Sequence, residues 1–266
     1  MPDLILPDVT LHYEIGGAGP PLLLLAGMAS DSASWAPVLA PLEARFTVIR
    51  PDNRTTGRTR PLDAEARVET MAADAAALLE ALGHGPAHVA GHSMGAFVAM
   101  ELAAARPDLV ERLTVMAGAP MRMARNVFLF RTLLALRAGG RDEDLWLRAL
   151  FPWLFHPAAF DLPDQVEAAV RAGIDYPHAQ TPDAMARQVA ALEAYDPTGL
   201  APRVQVPTVA LLADHDALIP ETQARAALAE IPDIAIETVP DAGHALHWDR
   251  PDAVAGALIR VSGAAG

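Results

Sequence analysis

The sequence contains no cysteine and no lysine; all 20 of its basic residues are arginine. Without cysteine there is no disulfide framework, no zinc–thiolate site and no thiol nucleophile. Without lysine there is no Schiff-base amine and no phosphate-binding lysine of the P-loop type. Positive charge is scarce as well: 33 acidic residues give the chain a formal charge of −13. An acidic chain without a basic run is a poor partner for nucleic acid. The apolar run 20–28 is far shorter than the ~20 residues that span a bilayer. The first residues, Met1-Pro2-Asp3-Leu4, lack the basic segment of a secretory signal. These absences lead to the expectation of a cytoplasmic protein that meets a small molecule and neither nucleic acid nor membrane, as a monomer or homodimer.

Apolar residues make up 52% of the 266-residue chain, enough for a large core without covalent staples. Short apolar runs at 22–26, 46–51, 87–90, 113–117, 208–212 and 234–239 read as strands buried on both faces. A looser alternation at 9–15 reads as an edge strand. Between the runs lie helical patterns at 34–42, 68–82, 96–105, 221–231 and 252–259. Gly83 serves as the C-cap of the second helix. Strands alternating with helices predict an α/β fold with a mostly parallel sheet covered on both faces. The stretch 121–196 breaks this rhythm. It has helical patches at 127–138, 143–150, 163–173 and 182–195, with no clear strand. It also holds much of the aromatic content: Phe128, Phe130, Trp146, Phe151, Trp153, Phe155 and Phe160. It reads as a helical cap, 121–196, inserted into a core formed by 1–120 and 197–266. Most of these aromatics would hold the cap together, and a few would line a pocket.

Gly91-His92-Ser93-Met94-Gly95 is the most informative segment. It is a G-x-S-x-G between a predicted strand and a predicted helix, the setting of a nucleophile elbow. A serine hydroxyl is a weak nucleophile until a base takes its proton, and that base needs an orienting acid. Two later loops, each directly after a predicted strand, offer these partners. One contains Asp214, His215 and Asp216; the other contains His244. In a parallel sheet such loops share the carboxyl edge, where ligands bind. Asp214 and Asp216 compete for the acid role on position alone.

Several segments together resemble the α/β-hydrolase superfamily over nearly the whole chain. They are Leu25-Ala26-Gly27-Met28 with Trp35, residues 52–59, the Ser93 elbow, Asp216-Ala217-Leu218-Ile219-Pro220, and Gly243-His244. The resemblance implies an α/β-hydrolase fold with an inserted helical cap. It implies Ser93 as nucleophile, His244 as base and Asp216 as its orienter, in the family's chain order. It places an oxyanion hole at the backbone N–H groups of Met28 and Met94. No cofactor and no metal are implied. Two segments depart from the family pattern. Ala26 stands where a histidine is common, and Thr55 and Thr59 replace a glycine and a serine in the 52–59 loop. The expected reaction is ester or lactone cleavage through a Ser93 acyl-enzyme. Trp35, Met121 and Trp153 are the expected substrate contacts, in a largely apolar pocket. Carbon–carbon bond hydrolysis and perhydrolase activity are alternatives within the same fold. A non-catalytic ligand-binding protein is the alternative of another class. Arg54 and Arg58 are read mainly as loop anchors, with a substrate carboxylate as the other option. His92 is read as support for the turn, and His84 and His88 as surface or strand-end residues.

Overall fold

The computed structural model describes residues 2–140 and 144–262. Eight strands form one sheet: β1 (Asp3–Ile5), β2 (Thr10–Gly16), β3 (Pro21–Leu25), β4 (Thr47–Pro51), β5 (Ala87–His92), β6 (Val110–Met116), β7 (Thr208–Ala213) and β8 (Ile234–Val239). Their spatial order is β1-β2-β4-β3-β5-β6-β7-β8. β1 and β2 pair antiparallel, as do β2 and β4. All pairs from β4 to β8 are parallel. The run at 9–15 is thus not at the edge. The short strand β1, which lacks the apolar alternation that would mark it in sequence, covers its outer side.

The helices are α1 (Leu39–Glu43), α2 (Val68–Leu82), α3 (Met94–Ala105), α4 (Ala124–Ala138), α5 (Leu145–Leu154), α6 (Pro163–Ile174), α7 (Pro182–Ala194), α8 (Glu221–Leu228), α9 (Leu246–Asp249) and α10 (Pro251–Val261). The β3 sequence shows why both faces are covered. Side chains alternate along a strand, so Leu23 and Leu25 join Met71, Leu78, Val98 and Leu102 of α2 and α3. Leu22 and Leu24 join Trp35, Leu42, Val254 and Leu258 on the opposite face. Full burial of each such side chain is worth about 1.5–3 kcal/mol. Gly83 ends α2 at φ 65°, where its missing Cβ removes the penalty of the left-handed conformation. The expected helix at 34–42 is instead a 3₁₀ turn, Ser32–Val38, followed by α1. Pro37 is the physical reason, since it cannot donate into an α-helical ladder.

Between β6 and β7 lie α4 to α7, and among the described residues of 121–196 there is no strand. The expected patch 143–150 begins outside the described residues; α5 starts at Leu145. This insertion has its own apolar cluster, in which Leu133, Trp146, Leu147, Phe151, Val170, Met185 and Val189 are buried together. Phe128, by contrast, stands 75% exposed. No helix among the described residues is long and apolar enough to cross a membrane.

Candidate functional site

Ser93 sits between β5 and α3 with φ 56° and ψ −118°, a backbone state L-residues rarely adopt. Its amide donates to the Met116 carbonyl at 2.9 Å, and its carbonyl accepts from Ala96 N at 2.9 Å. Two glycines make the turn possible. A Cβ on Gly91 would lie 2.1 Å from the Gly95 carbonyl oxygen, and one on Gly95 would lie 2.1 Å from the Leu25 carbonyl oxygen. Only hydrogen at these positions lets α3 lie directly on β3 and β5. Gly91→Ala is therefore expected to destabilise the fold by about 1–3 kcal/mol, as overpacking against rigid backbone does. Urea denaturation checks this; a wild-type midpoint would refute the close-packing argument.

The loops after β7 and β8 bring two more side chains to Ser93. His244 Nε2 lies 2.8 Å from Ser93 Oγ. His244 Nδ1 lies 2.9 and 3.1 Å from the two Asp216 carboxylate oxygens. Asp216 Oδ1 also accepts the Leu218 and Ile219 amides, each at 2.8 Å, which fixes the carboxylate. A carboxylate can only accept, so Nδ1 carries the imidazole proton and donates it to Asp216. In the neutral ring Nε2 is then a lone-pair acceptor facing the serine hydroxyl.

The two aspartates point in different directions, Asp216 toward His244 and Asp214 away from it. Asp214 turns to the neighbouring loop, where its oxygens accept the Asp241 and Ala242 amides at 3.0 and 3.1 Å. It therefore braces the turn that carries His244. Asp249 Oδ2 adds a second brace, accepting from the Gly243 and His156 amides at 2.8 and 2.9 Å.

Behind His244 lies a buried set of rings. His92 Nε2 donates to the His244 carbonyl at 2.8 Å. Burial pushes the His92 pKa down to about 3, and the nearby His244 adds to that shift. His92 is thus a neutral support for the His244 backbone. His247 is likewise held well below the usual histidine value by burial, with its ring 5.0 Å from Trp35 and 4.6 Å from His92.

The cavity at Ser93 has a volume of about 360 Å³. Ser93, Met94 and His244 form its base; Phe130, Val189 and Leu192 from α4 and α7 contribute to its walls. Met121, one of the three expected substrate contacts, lines this cavity. Trp35 and Trp153 do not. Trp35 is 0% exposed and packs beneath the site against His247, so it supports the histidine loop rather than facing a ligand. Trp153 packs toward the core, with the Arg125 guanidinium 5.5 Å from its ring centre. An indole reads the same in sequence whether it faces a cavity or fills a wall.

Met28 packs between the core and the insertion. The next residue, Ala29, has φ 57°. Its amide donates to Gln188 Oε1 at 3.0 Å, and Gln188 Nε2 donates to the Arg54 carbonyl at 3.2 Å. A fully buried glutamine from α7 thus pins the loop after β3. Nothing in its sequence context marks it. Arg54 faces Asp8 and Asp74, which raise its pKa against the cost of burial. Arg58 pairs with Glu14 and Asp52. Both arginines anchor their loop. His88 corrects the surface reading: it is the second residue of β5 and buried, 2.8 Å from Thr114 Oγ1, and burial lowers its pKa to about 3.

Comparison with known proteins gives a consistent likeness. Residues 20–251 match the family model described as the alpha/beta hydrolase fold. The chain is 33% identical over 249 residues to "Putative carbamate hydrolase RutD" of Azorhizobium caulinodans, covering 92% of each protein. It is 27% identical to pyrrolizixenacetamide deacetylase of Xenorhabdus hominickii, covering 92% of this chain and 91% of the other. Among solved structures, a thermophilic esterase from Thermogutta terrifontis superposes with a TM-score of 0.84 at 25% identity, covering 98% of both chains.

Proposed function

From the premise that this chain belongs to the α/β-hydrolase fold family and is a hydrolase, we propose that it cleaves an ester-type acyl bond through a covalent Ser93 intermediate. The observation that carries this reading is the continuous hydrogen-bonded line from Ser93 Oγ through His244 to Asp216. In the proposed reaction, Ser93 Oγ attacks the acyl carbon while its proton passes to His244 Nε2. As the bond to the leaving group breaks, Nε2 returns that proton to the departing oxygen or nitrogen. Water then gives a proton to Nε2 and attacks the acyl-enzyme. Ser93 Oγ leaves with that proton, and the carboxylic acid is released. Asp216 holds the ring in the productive tautomer and stabilises the imidazolium as it forms.

The amides of Met28 and Met94 are the proposed donors to the developing oxyanion. Met94 heads α3, where its N–H has no intrahelical partner, and the helix N-terminus favours negative charge. One such donor is typically worth a factor of about 10²–10³ in rate. The insertion, residues 121–196, acts in this reading as a cap that supplies the apolar cavity wall. Small to medium, largely apolar acyl groups fit that space. The relatives are named for carbamate, acetamide-type and ester substrates, bonds that share an acyl carbon and a heteroatom leaving group. A carbamate is accordingly the second bond type to test, because the chain is 33% identical over 249 residues to a protein of that name.

The test is intact-mass analysis after treatment with a fluorophosphonate. Wild type is expected to gain one adduct, mapped to Ser93 by peptide analysis. Turnover of phenyl esters, a lactone and a phenyl carbamate then ranks the bonds. A folded wild-type protein that gains no adduct and turns over none of these substrates would overturn the proposal.

A further inference from the structure

A second cavity, of about 560 Å³, lies between the insertion and the loop that follows β3. It shares no lining residue with the Ser93 cavity. Its volume falls within the ~300–1,000 Å³ typical of small-ligand sites. Trp146, Phe151, Phe155 and Phe160 give it an aromatic lining. Arg137, at the end of α4, lines it as well. The guanidinium carbon sits 4.2 Å from the Trp146 ring centre. One terminal nitrogen donates to the Gln180 carbonyl and the other approaches Met185 Sδ at 3.6 Å.

These contacts use only part of the five N–H donors of a guanidinium. Among the described residues no carboxylate pairs with Arg137. The contrast with Arg54 and Arg58, each paired with two acids, is direct. Burial lowers the Arg137 pKa, and no charged group among the described residues offsets that shift. Two acids also line the cavity, and both are satisfied elsewhere. Asp31 accepts from Tyr176 Oη at 2.8 Å and Ala33 N at 2.9 Å. Asp249 is held by the Gly243 and His156 amides. A cavity with aromatic walls and a planar cation that meets no carboxylate among the described residues selects one ligand chemistry.

We propose that this second cavity binds a small apolar carboxylate, with the carboxylate on the Arg137 guanidinium and the aryl or alkyl body against Trp146, Phe151 and Phe155. Guanidinium donors match carboxylate geometry in a two-point contact, and the aromatic wall takes the apolar body. Binding is non-covalent and does not involve Ser93.

Isothermal titration with 3-phenylpropionate and with 3-phenylpropanamide tests this. Wild type and Ser93→Ala are both expected to bind the acid at least tenfold more tightly than the amide. Arg137→Gln should lose at least tenfold in affinity for the acid and leave the amide unchanged, while Arg137→Lys should keep part of the acid preference. Ala169→Trp narrows the cavity from an exposed position on α6 while keeping the arginine at 137, and should weaken the acid at least fivefold. It keeps the test decisive if Arg137→Gln does not fold. Equal affinity for acid and amide in wild type would overturn the proposal. So would wild-type acid affinity in Ala169→Trp or in a folded Arg137→Gln, or loss of acid binding in Ser93→Ala.

Discussion

Ser93→Ala is expected to lower kcat on a phenyl ester by about 10⁴-fold or more, because the proposed nucleophile and its acyl-enzyme route disappear together. Its melting temperature should stay close to that of wild type. Alanine meets the same strained backbone at φ 56°, and the loss is confined to one hydrogen bond to His244. A net contribution of about 0.5–1.5 kcal/mol is ordinary for such a bond. Asp216→Asn is expected to cost about 10³–10⁴-fold, since an amide can donate to Nδ1 and stabilise the wrong tautomer. Asp214→Asn should leave most of the activity and lower stability modestly, because the hydrogen bonds of the Asp214 carboxylate go to backbone amides and its nearest charged neighbour is His215 at 4.0 Å, not His244. Steady-state kinetics beside thermal melts separate these outcomes. A Ser93→Ala protein retaining more than a tenth of wild-type kcat would remove the basis of the mechanism.

Lowering the pH from 7.5 to 5.0 is expected to destabilise the fold by up to about 4 kcal/mol through His88 and His92 alone. Both have folded pKa values near 3, depressed by burial from the usual 6.5. Above pH ~6.5 each ring is neutral in both the folded and unfolded chain, and the shift has no effect on stability. Below that value the unfolded chain takes up a proton at each position and the folded chain does not. Stability therefore falls steadily with pH until the folded rings also protonate near pH 3. By linkage each contributes about 2 kcal/mol between pH 7.5 and 5.0. His247, depressed by the same cause, adds in the same direction. Asp31, Asp74 and Asp249, raised by burial, protonate earlier in the folded chain and offset part of the loss. Urea unfolding at the two pH values measures the net effect, and His88→Asn should reduce it by about 2 kcal/mol. A net change below ~1 kcal/mol, unaltered in His88→Asn, would mean that these rings are not held neutral in the folded protein.

The insertion invites a different comparison between sequence and structure. Its helices were legible because the 3.6-residue period survives without a partner. What each aromatic touches was not. Met121 lines the Ser93 cavity, whereas Trp35 lies beneath the site and Trp153 against a wall. Composition and periodicity carry no information about which face of a packed helix meets empty space. Gln188 shows the same gap: a buried amide bridging Ala29 and Arg54 across more than 130 positions leaves no local trace.

By itself the sequence determined the alternation of strands and helices, the absence of thiol and amine chemistry, and the short list from which a nucleophile, base and acid could come. These are local or compositional properties, written in the spacing of apolar residues and in the glycines around Ser93. Tertiary structure alone decided that Asp216 faces His244 while Asp214 braces its loop, that Arg137 meets no carboxylate among the described residues beside a second cavity while Arg54 and Arg58 are paired, and that three histidines are neutral and buried. Each of these depends on distances and desolvation between residues far apart in the chain. Those quantities arise only when the sheet brings its loops to one edge and residues of α4, α5 and α7 pack against the core.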